Sequence, residues 1–104
     1  MSGHPAIERQ VAALHRAIAG MIGAGDALPI QRALDNLKRW RAAFGGELPY
    51  AYEEWERLLR SADIAHILSI LMGDDEDAIR RRSSSPFTGI LSAKERLEIM
   101  RRAA

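Results

Sequence analysis

Large apolar residues recur every three or four positions from Ile7 to Met100, and no stretch alternates apolar with polar as a half-buried strand must. This regularity restricts the chain to helices packed on helices, and glycine and proline mark where each one begins and ends. The expected fold is all-α, a compact bundle of five or six short helices with short connections.

The first helix is predicted from Pro5 to Ile22, with Pro5 at the first helical position. Its apolar stripe is Ile7, Val11, Leu14, Ile18, Met21 and Ile22, and Gly20, Gly23 and Gly25 end it. The second runs from Pro29 to Phe44 and closes on Gly45-Gly46, glycines being suited to the left-handed residue after a helix. Pro49 opens a third, which buries Tyr52, Trp55, Leu58 and Leu59. Ser61 or Asp63 caps a fourth, which Gly73 stops. That fourth helix carries Ile64, Ile67, Leu68, Ile70, Leu71 and Met72, too many apolar residues for a surface helix, and is expected at the centre of the core. Trp40, Trp55, Leu68 and Leu71 are expected to be largely buried.

Asp74 to Arg82 reads as a fifth short helix, acidic at its start and basic at its end, with Asp77 and Arg81 spaced as an i,i+4 ion pair. The run Ser83-Ser84-Ser85-Pro86 then breaks the pattern, and Phe87, Ile90 and Leu91 anchor the loop that follows. Ser92 and Glu95 form a capping box at the head of a last helix reaching Arg102. The chain thus divides into a helical core over 1–82 and a loop plus C-terminal helix over 83–104, the latter either part of the same domain or a docking arm.

A chain of 104 residues makes one domain and buries roughly two-thirds of its unfolded surface without needing staples. Without cysteine it has no disulfide, no thiol nucleophile and no thiolate zinc site. No apolar run approaches the ~20 residues of a membrane span, and the N-terminus MSGHPAIERQ lacks the features of a signal peptide, so a cytoplasmic location is expected.

No catalytic constellation, metal site or cofactor motif is found. Gly20, Gly23 and Gly25 trail a helix, whereas a phosphate loop follows a strand and precedes a helix. Of the histidines, His4 lies in the terminal arm and His15 at the rim of an apolar stripe. His66 stands three residues after Asp63, within reach of a pair on one helix. None has a nucleophile or metal-ligand spacing nearby. Lys38, Arg39 and Arg41 point in different directions on one helix and form no basic stripe. Arg41 falls inside the apolar stripe and needs a carboxylate there, with Glu53, Glu54 or Glu56 the candidates.

Charge divides the chain more sharply. Residues 1–77 hold 8 basic and 12 acidic side chains, net −4, and residues 78–104 hold 7 basic and 2 acidic, net +5. Helix-end electrostatics and a solvated face account for part of that excess. The functional reading is a basic segment that docks on an acidic surface, with Arg80, Arg81, Arg82, Phe87, Ile90, Leu91, Leu97, Ile99 and Met100 as candidate partner-binding residues. In the last helix Leu97 and Met100 share one side while Ile99 points nearly opposite.

The stretch SSSPFTGILSAKERLEIMRR, Ser83 to Arg102, resembles the tails of small all-helical bacterial proteins, some of them antitoxin-like. The helix of Trp55, Leu58 and Leu59 and the early Leu14-His15-Arg16 are similar too. The resemblance implies binding to a partner encoded alongside, in some cases with DNA as well, and includes no catalytic motif. The expected function is a small helical interaction protein that binds a protein partner or itself. The alternative is a nucleic-acid-binding regulator using the basic C-terminal region.

Overall fold

A computed structural model describes residues 5–103. Its elements are α1 (Pro5–Gly23), α2 (Leu28–Ala43), α3 (Tyr50–Arg60), α4 (Ile64–Met72), α5 (Glu76–Arg82) and α6 (Ala93–Ala103). Among the described residues there is no strand, and no helix is long and apolar enough to cross a membrane. His4 lies outside the described residues.

The local signals that start and stop the helices act as expected. Asp63 caps α4 by accepting the backbone N–H of His66, so its carboxylate meets the His66 backbone rather than the ring. Asp75 caps α5 in the same way through Ala78 N–H. At α6 the capping box is complete: Ser92 Oγ accepts Glu95 N–H at 3.0 Å and Glu95 Oε1 accepts Ser92 N–H at 2.9 Å. Gly45 and Gly46 take φ of +80° and +109°, and Gly46 N–H closes on Arg41 O at 2.8 Å, which ends α2. Ala62, between α3 and α4, is held at φ +56° although it has a Cβ.

The core gathers Ile18, Ala19 and Ile22 of α1, Ala33 and Leu37 of α2, and Trp55, Leu58 and Leu59 of α3 around Ile67, Ile70 and Leu71 of α4. α4 is central, as its composition demands, but buries only one face. Ile67, Ile70 and Leu71 lie within about 100° of arc, while Leu68 is half-buried and Ile64 and Met72 are exposed, Met72 at 58%. The expected burial of Leu68 is corrected accordingly. Trp40 is also half-buried, because its ring stacks on Tyr52 at the edge of the α2–α3 pair, 5.1 Å between centroids, rather than entering the centre. Trp55 is buried as expected, and its indole N–H donates to Arg81 O at 2.8 Å. Arg41 finds Glu56 at 2.6 Å, one of its three candidate carboxylates.

On α1 the buried face is His15, Ile18, Ala19 and Ile22, and Ile7 is exposed. The inward side is therefore rotated toward His15 and Ala19 relative to the sequence stripe. One small detail sets how α4 meets α5. A Cβ on Gly73 would stand 2.5 Å from Ser69 O and 3.0 Å from the Ala78 Cβ, so only glycine allows the chain to turn this tightly here.

The arrangement assigns the stability to one face of α4. Leu71→Ala is expected to cost about 2–5 kcal/mol through lost burial and a residual cavity, and Met72→Ala less than about 0.5 kcal/mol. Urea denaturation of the two variants checks this; equal midpoints would show α4 to be peripheral.

Candidate functional site

The segment over 83–104 divides into two parts with different relations to the body of the protein. Residues 83–92 form a strap that is sewn into the core. Phe87 is buried and meets Trp55 edge-to-face, 5.6 Å between centroids at 83°. Asn36 of α2 donates through Nδ2 to Pro86 O at 2.9 Å and to Thr88 O at 3.0 Å. Ile90 and Leu91 are half-buried against the same core. α6, by contrast, lies along α1 and has no buried residue.

The strap is tethered to α1 by a histidine. His15 is 6% exposed, and its Nδ1 lies 2.8 Å from Val11 O, an atom that can only accept. Nδ1 therefore carries the proton, and the bare Nε2 accepts Ser85 Oγ–H at 2.7 Å. Ser85 Oγ in turn accepts Phe87 N–H at 3.1 Å. Burial holds the His15 pKa below its ordinary value, the Val11 carbonyl opposes this, and the charge of Arg82 reinforces it. A serine on a neutral imidazole is the start of a nucleophile–base pair. Here the group behind the ring is a helix carbonyl, and Phe87 N–H and Thr88 N–H are already spent on Ser85 Oγ and Pro86 O. What the contact does visibly is hold residue 85 against residue 15.

Arg82 is the second fixed point. It is 7% exposed, and Nη1 donates to Ile70 O at 2.8 Å and Gly73 O at 2.5 Å, satisfying carbonyls at the end of α4. Arg82, one of the expected partner-binding residues, is buried, with its Nη1 on the chain's own backbone. Arg80 and Arg81 face the other way. Arg80 pairs with Glu54 at 3.2 Å and Asp77 at 2.9 Å, and Arg81 with Glu54 at 3.5 Å and Asp77 at 3.1 Å. The three arginines are thus distributed between two sides of α5 and do not form one free basic stripe.

Between α1, the strap and the start of α6 lies a cavity of about 290 Å³. Arg82, Phe87, Ile90 and Leu91 of the expected site meet there, joined by Val11, Leu14, His15, Ile18, Ser85 and Arg96. Leu97, Ile99 and Met100 do not line it. Ile99 and Met100 are half-buried, and Leu97 is 69% exposed. His15 and Ser85 were not singled out together by sequence: seventy positions separate them, and a serine-rich run reads as a linker. No family model, curated protein or solved structure matches this chain.

Two outcomes follow from the geometry. Because His15 is kept neutral in the folded state, the unfolded chain takes up a proton first as pH falls below about 6.5. Stability is then full above that pH and declines below it, toward the lowered pKa of the folded state. Thermal melts from pH 7.5 to 5 should show this decline, flattened in His15→Gln, and an unchanged slope in that variant would contradict the tether. Arg82→Gln should cost about 2–4 kcal/mol by leaving α4 carbonyls unsatisfied, while Arg80→Gln melts close to the parent.

Proposed function

We propose that the protein is a small helical interaction protein, of adaptor or antitoxin-like kind, that binds a partner protein through the outer face of α6. The observation that carries this reading is the contrast within the segment over 83–104. The strap buries Pro86 and Phe87 in the core, whereas the 11-residue α6 has no buried side chain and holds Leu97 out to solvent at 69% exposure. A helix this short is marginal in isolation and gains its stability from what it packs on. Half-burial of Ile99 and Met100 on α1 leaves the opposite side available.

Charge indicates the chemistry of the partner. Lys94, Arg96, Arg101 and Arg102 surround Leu97 in sequence, against Glu95 and Glu98, for a net of +2 on α6. Arg101 and Arg102 both reach Glu98, at 2.6 and 3.1 Å, in exposed pairs that exchange readily for other carboxylates. An apolar groove rimmed with acidic residues suits such a face, and the arginines steer the approach. Nucleic acid is the less favoured partner, since Arg80 and Arg81 are engaged with Glu54 and Asp77 and Arg82 is buried.

A photo-crosslinking residue placed at position 97 should capture one defined protein from native lysate, and one placed at exposed Ala65 should not. Leu97→Asp should melt like the parent yet lose that complex. Identical capture from both positions, or a complex that survives Leu97→Asp, would remove the reading.

A further inference from the structure

The cavity beside His15 has a composition that its tethering role does not require. Its walls are Val11, Leu14, Ile18, Phe87, Ile90 and Leu91, and its polar groups include Arg82 and Arg96 with no aspartate or glutamate among the lining residues. Arg82 is the telling residue. The residue is 7% exposed and among the described residues it makes no salt bridge; Nη1 is held by two carbonyls, while Nε and Nη2 carry no protein hydrogen bond and are open to solvent. Burial and the nearby charge of Arg16 both work against its cation, and Asp75 and Asp74 offset only part of this. The free N–H groups of this partly shielded guanidinium can take an anion that enters from solvent.

We propose that this cavity is a binding site for a small amphiphilic carboxylate, whose head lies toward Arg82 and Arg96 and whose apolar body packs against Leu14, Ile18 and Phe87. Size sets the class. A cavity of ~150 Å³ holds a benzene ring, so about 290 Å³ takes a ligand of roughly ten to twelve non-hydrogen atoms. That covers a medium-chain fatty acid or a phenylalkanoate; the pocket is open on one side, so a longer tail projects into solvent and adds little. A carboxylate head suits a pocket whose charged lining is Arg82 and Arg96, and a guanidinium binds a carboxylate through two parallel N–H bonds. The site shares only Arg96 with the α6 region of the partner-binding reading, and the ligand titrations test it without reference to a partner.

The probe is octanoate, titrated calorimetrically into the full chain, with octanamide as its neutral counterpart and acetate as the head without the body. Octanoate should bind, and octanamide and acetate should bind at least about tenfold more weakly, the loss of a charge-assisted hydrogen bond or of the apolar body being each worth that much. Across hexanoate, octanoate, decanoate and dodecanoate the affinity should level off by decanoate as the cavity fills. Leu14→Trp fills the cavity from α1 and should abolish binding; Arg96→Gln, on an exposed turn, should weaken it several-fold while melting like the parent. Equal affinity for octanoate and octanamide, affinity that keeps rising to dodecanoate, or no octanoate binding at all would overturn the proposal. The ligand comparisons need no variant, so they decide the matter even if Leu14→Trp fails to fold.

Discussion

The hold of Arg82 on the last carbonyls of α4 is the contact on which the other arrangements depend. A helix that ends in the interior leaves carbonyls with no water and no further turn to satisfy them. α4 ends against α5 with Ile70 O covered and Met72 exposed, and the guanidinium that reaches Ile70 O and Gly73 O comes from the far end of α5. The two helices are thereby locked at both ends: the missing Cβ of Gly73 lets them approach where they join, and Arg82 binds them where α5 stops. The strap leaves from that point. Its direction brings Ser85 to His15, Pro86 and Thr88 to Asn36, and Phe87 to Trp55.

How much of this could be read beforehand depends on whether the cause was local. Helix limits were legible because capping and glycine geometry act within a few residues, as at Asp63, Gly45 and the pair Ser92 and Glu95. The need of Arg41 for a carboxylate was legible too, since an arginine in an apolar stripe has few ways to be solvated. Orientation was harder. Ile64, Leu68 and Met72 have the same chemistry as Ile67, Ile70 and Leu71, and only the number of neighbours around α4 decides which are covered. For the site, Phe87, Ile90 and Leu91 stood out as anchors, but their destination did not. His15 and Ser85 become partners only when α1 and the strap are brought together, and no spacing announces that.

The arginine run shows a limit of charge counting. Arg80, Arg81 and Arg82 make the C-terminal part of the chain strongly positive on paper, and consecutive positions on a helix differ by about 100° in direction. Two of these side chains therefore meet Glu54 and Asp77 over α3 and α5, while the third turns under α4. The charge of Arg80 and Arg81 is spent on carboxylates of the fold. The exposed cations that remain available lie instead on α6 and at the mouth of the cavity, with Arg96 belonging to both regions. An apolar side chain, Leu97, stands next to that arginine in sequence.

The dependence of the core on Phe87 also has a bearing on how the chain is made. Synthesis proceeds from the N-terminus, and domains fold as their parts emerge. The first five helices are complete by residue 82, yet Trp55 lacks its ring partner and the imidazole of residue 15 lacks its hydroxyl until the strap has followed. Closing that loop is a late and non-local step, followed by the packing of α6 on α1. A nascent chain halted before residue 87 is thus a set of helices around an open centre, a ready substrate for proteases, and only a chain carried past it is sealed.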